Sequence, residues 1–326
     1  MQIAVAIPTF NRKELLVKCL RAVAGQTLKP AKIFVIDNHS SDGTPDLLRQ
    51  VGYDREVDGV PVSYHYLPIN GGGAMGFSMG MQLAYEENME QEANSLSLGE
   101  GQSEAYDAFW MLDDDGLPQP DCLEKLAAHV EQYGYVVPVL MDINHPDRLN
   151  GACRGSHDPE VLRQTYGGGE LLPGYCNPFN GGLFSRQAVS KVGFPKRELF
   201  IYGDEMNYDQ RMTEAGYPSV GVFSARHCHP VMLDTDVHFL VLGHFKPVPW
   251  KMYCMSRNKV YNKKTRRGPI LRKVAVLTYY YIISQTYLLL FQHSLRWVRL
   301  FHQAFTDGLH EHWGRERQYM QISYTE

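Results

Sequence analysis

The feature that most constrains the fold is an alternation of short apolar runs with amphipathic segments, which begins at the N-terminus. Apolar runs of strand length span residues 3–7, 33–36, 62–67 and 108–112. Segments with helical character lie between them, at residues 13–24, 44–50 and 74–85. Strands that alternate with helices predict a mainly parallel α/β sheet covered on both faces. Ligands bind to such sheets beyond the carboxyl ends of the strands.

Length and composition set the class of protein. The chain has 326 residues, of which 44% are hydrophobic and 21% are charged, so it can bury a large core and is not globally disordered. Its six cysteines form no CxxC pair, which excludes a paired-cysteine zinc site and favours free thiols in a reducing compartment. The N-terminus lacks the basic region and cleavage site of a secretory signal.

The charge is strongly polarised along the chain. The net charge is −4, yet residues 237–306 contain no Asp or Glu and 12 Lys or Arg. That stretch therefore carries +12 and the rest of the chain carries −16. Such a distribution indicates an anionic partner for the C-terminal part.

Residues 86–107 are the opposite case, with seven acids and no Lys or Arg, and we interpret them as an exposed insertion.

Three adjacent carboxylates follow the fourth predicted strand. Asp113, Asp114 and Asp115 come directly after the apolar run 108–112, so a strand would deliver them to the ligand edge of the sheet. Adjacent carboxylates repel one another unless a cation lies between them. A divalent metal with hard oxygen ligands, Mg²⁺ or Mn²⁺, would satisfy them and bind a diphosphate as well. A solvated acidic turn is the competing interpretation of these three residues alone.

The loops after the first two strands have the chemistry of a base and ribose site. Phe10 offers a flat apolar edge, and Thr9, Asp37 and Asn38 offer donors and acceptors. The alternative for residues 37–44 is a turn followed by a helix whose amides are capped by Thr44.

Four glycines mark the loop before the third helix. They are Gly71, Gly72, Gly73 and Gly76. Glycines let the backbone approach a ligand, and the helix that follows offers amides to phosphate or sugar oxygens. The loop is not a GxGxxG sequence and does not follow the first strand, so a dinucleotide site is the weaker hypothesis.

The order of these motifs resembles family 2 glycosyltransferases, which have a GT-A fold. The matching segments are IPTFNR, VIDNHSSDGT, NGGGAMGF and WMLDDDG, followed by residues 179–186, 192–195, 199–208 and Arg211. The resemblance covers roughly residues 1–235. Within the family, the triple aspartate and the glycine-rich loop are most similar to bacterial galactofuranosyl- and rhamnosyltransferases of surface polysaccharide synthesis.

The resemblance implies a role for individual residues. It assigns metal ligation to Asp113, Asp115 and one of His227 and His229, of which His229 has the better spacing. It assigns the catalytic base to the pair Asp204 and Glu205, with Glu205 aligned better although many relatives have Asp there. It implies nucleotide-sugar contacts for Pro8, Thr9, Phe10, Arg12, Asp37, Asn38, Asn70, Gly72, Gly73, Asp113 and Asp114.

The chemistry of sugar transfer needs the same groups. A diphosphate leaving group gains negative charge as the glycosidic bond breaks, and a bound cation stabilises that charge. The acceptor hydroxyl needs a carboxylate that takes its proton. Without an enzyme nucleophile, attack on the opposite face inverts the anomeric centre.

An uncharged, tyrosine-rich segment lies within the basic stretch. Residues 274–291 have no charge, but they include four tyrosines and the polar Thr278, Ser284 and Gln285. Eighteen residues are the lower limit for a spanning helix, and these polar groups make a poor lipid core. Flanking cations and aromatic residues favour a helix at a membrane interface. The alternative is a helix buried against the catalytic domain or in a subunit contact.

These observations predict a catalytic domain at residues 1–235 and a helical C-terminal region at 236–326. We expect an inverting, metal-dependent transfer from UDP-galactofuranose to a growing, lipid-linked glycan at the cytoplasmic face of the membrane. dTDP-rhamnose is the second donor considered, and a homo-oligomer is left open. A non-catalytic nucleotide-sugar-binding protein is a further alternative. A nucleotidyltransferase is less favoured because the first loop, PTFNR, lacks glycine. No nucleic-acid partner is expected.

Overall fold

The chain divides into two compact units. The computed structural model describes residues 1–98, 105–231, 238–239, 243–244, 248–290 and 293–322. The first unit consists of Met1–Arg197 and Tyr208–Val231. The second unit consists of Glu198–Asn207 and Met232–Glu326. Its first segment, Glu198–Asn207, thus lies between the two sequence segments of the first unit.

A twisted sheet forms the centre of the first unit. Its strands are β1 (Ile3–Thr9), β2 (Lys32–Asp37), β3 (Glu56–Val57), β4 (Val60–Tyr66), β5 (Ala108–Met111), β6 (Leu117–Pro118), β7 (Tyr135–Asp142), β8 (His145–Leu149), β9 (Leu171–Pro173), β10 (Gly182–Ser185) and β11 (Val220–His229). The main order is β3-β4-β2-β1-β5-β10-β7-β11-β6, with β8 beside β7 and β9 beside β11. The four strands β4, β2, β1 and β5 are parallel, and β10 is antiparallel to β5 and β7.

Helices connect and cover these strands. They are α1 (Lys13–Ala24), α2 (Thr44–Val51), α3 (Gly72–Leu98), α4 (Cys122–Tyr133), α5 (Pro159–Thr165) and α6 (Arg186–Val192). A 3₁₀ turn at Arg197–Leu199 leads to α7 (Asp204–Glu214), whose first four residues belong to the second unit. The predicted alternation of strands and helices is confirmed.

Both faces of the sheet are buried, as the continuous apolar runs predict. On one face, Val5 and Ile7 of β1 pack in a cluster with Leu16 and Leu20 of α1. On the other face, β1 contributes to a second cluster that includes Phe77 and Met81 of α3. Because side chains alternate between the faces of a strand, β1 lies between two cores.

Helix α3 is longer than the sequence predicts. It continues to Leu98, so residues 86–98 of the expected insertion are helical. Asn88 is fully buried, and its side-chain amide donates to the backbone carbonyl of Tyr106 at 3.1 Å. The backbone amide of Tyr106 donates to the same side chain in return. This pair of bonds ties the helix to the chain that enters β5; residues 99–104 lie outside the described residues.

The expected cap of α2 by Thr44 is wrong. Thr44 is the first residue of the helix, and Gly43 occupies the cap position without a side-chain bond. The Thr44 hydroxyl instead donates to Asp42 at 2.6 Å, and the Asp42 carboxylate accepts from the Thr44 amide at 3.1 Å. An Asx-type turn at Asp42 therefore closes the start of this helix.

Helices dominate the second unit. Two short strands, β12 (His238–Phe239) and β13 (Gly243–His244), pair with each other. The helices are α8 (Pro249–Thr265), α9 (Ile270–Leu290), α10 (Leu295–His310) and α11 (Glu316–Ile322). Tyr253, Leu277 and Phe301 are among the buried residues of their common core. The predicted C-terminal helical region is confirmed.

Helix α9 presents two different faces. Its buried stripe consists of Leu277, Tyr280, Ser284 and Leu288, which follow helical spacing. Its exposed apolar residues are Ile270, Leu271, Val274, Val276, Tyr279, Ile282, Leu289 and Leu290. Phe291, the last residue of the predicted segment, lies outside the described residues. Within the ranges that the structure describes, no helix has the length and apolar character needed to span a bilayer.

Candidate active site

The parallel strands of the first unit bring two polar loops together at their carboxyl ends. Strand β1 pairs with β5 on one side, so the residues that follow the two strands meet at one edge. The Thr9 hydroxyl donates to Asp114 Oδ2 at 2.6 Å. The Arg12 guanidinium donates to Asp114 Oδ1 at 3.1 Å and to Asp115 Oδ2 at 2.7 Å. Two of the predicted nucleotide-sugar residues, Thr9 and Arg12, therefore both contact a third, Asp114.

Strand β11 adds a histidine to this edge. His229 Nε2 lies 3.1 Å from Asp115 Oδ1 and 3.9 Å from Asp113 Oδ2. Each of the three side chains offers one ligand atom, and these atoms lie within 4.8 Å of one another. Carboxylate oxygens with one imidazole nitrogen suit a divalent cation such as Mn²⁺. This group, called here the metal group, could hold a metal.

The charges of the metal group are incompletely balanced by protein cations. Enclosure by protein atoms, followed by repulsion from Asp115, raises the pKa of Asp113 to about 7. Burial raises the pKa of Asp114 to about 6, even though Thr9 and Arg12 lower it. Burial would also raise the pKa of Asp115, but the hydrogen bond from His229 and the Arg12 charge lower it. A bound cation would favour the ionised form of all three carboxylates.

The two candidate histidines have different surroundings. His227 is fully buried, and burial lowers its pKa to about 3. Its ring lies so close to Gly116 that a Cβ there would be 2.3 Å from Nε2. Neither ring nitrogen finds a hydrogen-bond partner within the described part of the chain. Of the two histidines, the structure brings only His229 into the metal group.

The loop after β2 is held by internal hydrogen bonds. Asp37 is fully buried; its carboxylate accepts from the Ser40 amide at 2.7 Å and from the Tyr64 hydroxyl. Asn38 is also buried, and no partner for its Oδ1 occurs among the described residues. The role of Tyr64 was missed; its position on β4, next to β2, is the signal that could have revealed it.

The loop after β1 has one exposed aromatic ring. Phe10 is 41% exposed, which leaves the ring available as an apolar edge. Pro8 lies against α3, because a Cβ at Gly76 would be 2.3 Å from Pro8 Cβ and 2.9 Å from Asn38 Nδ2. The start of α3 therefore reaches the same edge as Phe10 and Asn38.

The glycine-rich loop forms the first turn of α3. Asn70 Oδ1 accepts from the Gly72 amide at 2.8 Å, and Gly72 has a left-handed φ of +74°. Beyond its chain neighbours and the backbone of its own helix, no described heavy atom lies within 4 Å of a Cβ built on Gly73, so this backbone faces open space. Free amides at a helix start bind anions such as phosphate. The open backbone of this turn is therefore that of Gly73, whereas Gly72 is buried and its amide is bonded to Asn70.

The candidate base residues begin α7 and belong to the second unit. Asp204 is 4% exposed and Glu205 is half-buried. Glu205 Oε2 accepts a hydrogen bond from the Gly203 amide at 3.0 Å. The residues just before them, 199–203, form a loop whose carbonyls are bonded by α8 side chains, an arrangement that local sequence patterns did not reveal.

The sequence comparisons decide the family. The family described as "Glycosyl transferase family 2" matches residues 4–193. The chain belongs to glycosyltransferase family 2. Galactofuranosyltransferase GlfT1 of Mycolicibacterium smegmatis is 31% identical over 257 residues, which cover 76% of this chain and 74% of the relative. The predicted family and enzyme class are confirmed, and the chain is a glycosyltransferase.

Solved structures support the fold. S. aureus TarS 1–349 in complex with UDP-GlcNAc is 12% identical, with a TM-score of 0.55 over 95% of this chain and 81% of that chain. The present chain spans only 50% of a longer TarS structure, with a TM-score of 0.54. Mannosyltransferase PcManGT from Pyrobaculum calidifontis, in complex with GDP-Man and Mn²⁺, is 15% identical, with a TM-score of 0.51 over 99% of this chain and 79% of that chain. The predicted GT-A fold is confirmed.

Proposed function

We propose that the chain is an inverting, metal-dependent galactofuranosyltransferase that uses UDP-galactofuranose. The observation that carries the proposal is the metal group of Asp113, Asp115 and His229 at the strand edge. The similarity to galactofuranosyltransferase GlfT1 over three quarters of the chain supports the choice of sugar. The complex of PcManGT with GDP-Man and Mn²⁺ supports a cation and a nucleotide sugar as ligands.

In this proposal the chain's own groups bind and orient the donor. When bound, Mn²⁺ or Mg²⁺ offsets the charge of the diphosphate leaving group. Asp113, Asp115 and His229 hold the cation, and Asp114 holds Arg12 beside it. The open backbone of Gly73 at the start of α3 faces phosphate or sugar oxygens, and Asn70 holds the turn through the Gly72 amide.

The remaining loops recognise the nucleoside. Phe10 offers its exposed ring to the base, and Pro8 fixes that loop against α3. Asn38 Oδ1, for which the described part of the chain supplies no partner, is available as a hydrogen-bond acceptor. Asp37 shapes the loop through Ser40 and Tyr64.

Glu205 is the proposed base. It takes the proton of the acceptor hydroxyl as the hydroxyl oxygen attacks the anomeric carbon from the face opposite the diphosphate. One displacement without an enzyme-bound sugar gives inversion. The neighbouring Asp204 is the alternative base. The acceptor in this proposal is a growing glycan, linked to lipid.

The experiment is a donor screen with stereochemical analysis. Purified protein is assayed with UDP-galactofuranose and dTDP-rhamnose, each in Mn²⁺, in Mg²⁺ and in EDTA, with a short galactofuranoside acceptor. We expect metal-dependent transfer from UDP-galactofuranose, with an inverted anomeric configuration by NMR. Transfer from dTDP-rhamnose alone would support the rhamnosyltransferase alternative. Tight donor binding without transfer or hydrolysis would support a non-catalytic binding protein.

A second proposal concerns the membrane. The exposed face of α9 carries large apolar residues, including Leu271, Tyr279 and Ile282, which are 80%, 64% and 57% exposed. The basic residues Arg266 and Arg267 precede this helix and are exposed. Apolar residues next to exposed cations suit the surface of an anionic bilayer. We infer that the protein associates with the cytoplasmic face of the membrane, where a lipid-linked acceptor would be available.

Vesicle binding tests this second proposal. Vesicles with anionic lipid should sediment the protein at low salt and release part of it at high salt, because each nearby Lys or Arg is worth about 1 kcal/mol and salt screens it. Replacing Leu271 and Ile282 by Ser should weaken binding and leave donor hydrolysis intact. The matched control replaces the buried Leu277 by Met, which leaves the exposed face unchanged. A wild-type protein that ignores anionic vesicles at low salt would contradict the proposal.

A further inference from the structure

The loop before the proposed base has an unusual backbone. Residues 199–203, called here the base loop, lead directly to Asp204 and Glu205. Phe200 and Tyr202 have left-handed φ values of +67° and +63°, and Gly203 has +85°. Residues other than glycine keep this conformation only where their surroundings hold it. Something in the second unit must therefore fix the base loop.

Asn258 of α8 binds most of the base loop. Its side-chain amide nitrogen lies 2.8 Å from the carbonyl oxygen of Leu199, 3.0 Å from that of Ile201 and 2.7 Å from that of Tyr202. Asn258 is fully buried, and buried polar side chains are held by hydrogen bonds of this kind. One side-chain amide thus lies within hydrogen-bond distance of three backbone carbonyls of the base loop.

Asn262 binds the end of the base loop, one helical turn further along α8. Its Nδ2 donates to the carbonyl of Gly203 at 2.7 Å, and its Oδ1 accepts from Asn207 Nδ2 at 3.0 Å. The amide of the same Gly203 donates to Glu205 Oε2. Asn262 therefore holds the residue that holds the Glu205 carboxylate.

A buried ion pair orients Asn258. Arg257 Nε donates to Asn258 Oδ1 at 2.9 Å, so the amide NH₂ of Asn258 must face the base loop. Arg257 Nη1 donates to Glu316 Oε2 at 2.6 Å, and its Nη2 donates to the carbonyl of Leu199 at 2.9 Å. Helices α8 and α11 thus act together on the base loop.

We propose that Asn258 and Asn262 are positioning residues that fix the direction of the Glu205 carboxylate through the base loop. The proposal rests on the proposed function, in which Glu205 is the base. The described hydrogen bonds of both asparagines are made to residues of the second unit, to which neither the metal group nor the nucleotide loops belong. Their loss should therefore lower kcat and leave the KM of the donor unchanged.

The main test is Asn262→Leu, which keeps the size of the side chain and removes both hydrogen bonds. We expect kcat for transfer to fall at least 10-fold, with the donor KM within twofold of wild type. Asn262→Gln retains an amide donor and should recover part of kcat. The matched control is Tyr253→Phe on the same helix, which removes a buried hydrogen bond to Asp307 and does not touch the base loop. It should lower Tm and leave kcat within twofold.

A double variant separates positioning from general loss of structure. In the Glu205→Gln background, Asn262→Leu should lower kcat no further, because the group that it positions is already gone. An unchanged kcat in folded Asn262→Leu would overturn the proposal. So would an equal loss in the double variant, or an equal loss in Tyr253→Phe. If Asn262→Leu does not fold, Asn262→Ser carries the same expectation.

The failure of the proposed function has a different signature. If Glu205→Gln transfers sugar at the wild-type rate, the base assignment is wrong, and the positioning of that base is overturned with it. If Glu205→Gln is inactive and the Asn262 variants are normal, the base assignment stands and only the positioning proposal fails.

Discussion

The metal group of the first unit and the base loop of the second unit differ in how far the protein itself satisfies their polar and charged groups. At the metal group, the pKa values of Asp113 and of the adjacent Asp114 are raised, and the nearby guanidinium and imidazole do not fully balance the carboxylates. In the base loop, buried Asn and Arg side chains bind successive backbone carbonyls. In the proposed function a cation completes the first region, whereas the hydrogen bonds of the second region are formed without a ligand.

Removal of one metal ligand should have the largest effect. Asp115→Ala removes a carboxylate that lies within reach of both His229 and Arg12. We expect Mn²⁺-dependent turnover to fall by about 10³-fold or more, equivalent to about 4 kcal/mol of activation free energy, while the chain stays folded. Asp46→Ala, which removes an exposed ion pair with Arg49, is the control. Wild-type activity that persists in EDTA would contradict the role of the metal group.

A substitution in the side chains that support the base loop should lower the free energy of unfolding. Glu316→Gln leaves the charge of the fully buried Arg257 without its carboxylate partner. We expect a loss of about 3 kcal/mol in the free energy of unfolding, measured by denaturant titration. Glu311→Gln, at the exposed pair with Lys264, should cost less than about 1 kcal/mol. Equal losses in the two variants would remove the distinction between a buried and an exposed pair.

The rate of transfer should depend on the charge of the proposed base and not on the volume of its side chain. Glu205→Gln keeps the side-chain volume and removes proton acceptance, so transfer should fall by roughly 10²-fold or more while donor binding persists. Single-turnover kinetics and donor titration separate the two quantities. If Asp204→Asn is inactive and Glu205→Gln is near wild type, Asp204 is the base.

The smallest effect is a gain in stability. Because the pKa of Asp113 in the folded chain, about 7, exceeds its ordinary value of 3.8, its ionised form favours unfolding. Asp113 therefore supports the folded state fully below its ordinary pKa, and this support is lost as pH rises through about 7. Asp113→Asn should raise the free energy of unfolding of the EDTA-treated protein at pH 8 by about 1 kcal/mol after allowance for screening by water, and this gain should appear as a higher Tm.

The gain from Asp113→Asn should shrink as the pH falls from 8 toward 4. The same substitution should abolish the rise in Tm that Mn²⁺ causes in wild type. If Asp113→Asn is less stable than wild type at pH 8 without metal, groups of the protein already balance the negative charge of Asp113. The metal group would then need no ligand, and it would not differ from the base loop in this respect.

Local patterns predicted the parts of the fold that local forces determine. The bounds of α1 match those predicted from apolar periodicity, and β1, β2 and β5 end within about two residues of their predicted ends. Parallel pairing then brings Thr9 and Asp114 together. The continuation of α3 could not be predicted in this way. Its acidic sequence has no clear apolar face, and Asn88 is held by Tyr106, 18 residues further along the chain.

The side chains that support the base loop could not be predicted from the sequence, for the same physical reason. Asn258 and Asn262 are 56–59 residues away from the backbone carbonyls that they bind. Nothing in the local sequence of a polar helix indicates which buried carbonyls it will meet. The motif around Glu205 could be recognised by resemblance, whereas the side chains that hold it could be found only in three dimensions.

The contact between α3 and β1 restricts how this enzyme can evolve or be engineered. A Cβ at Gly76 would lie 2.3 Å from Pro8, and one at Gly80 would lie 2.7 Å from Ala6, so neither position accepts a side chain unless β1 moves. Any such movement would displace Thr9 and its bond to Asp114. In the proposed site, the positions open to variation are therefore Gly73 and Phe10, whereas we expect Gly76 and Gly80 to stay fixed in a library of functional variants.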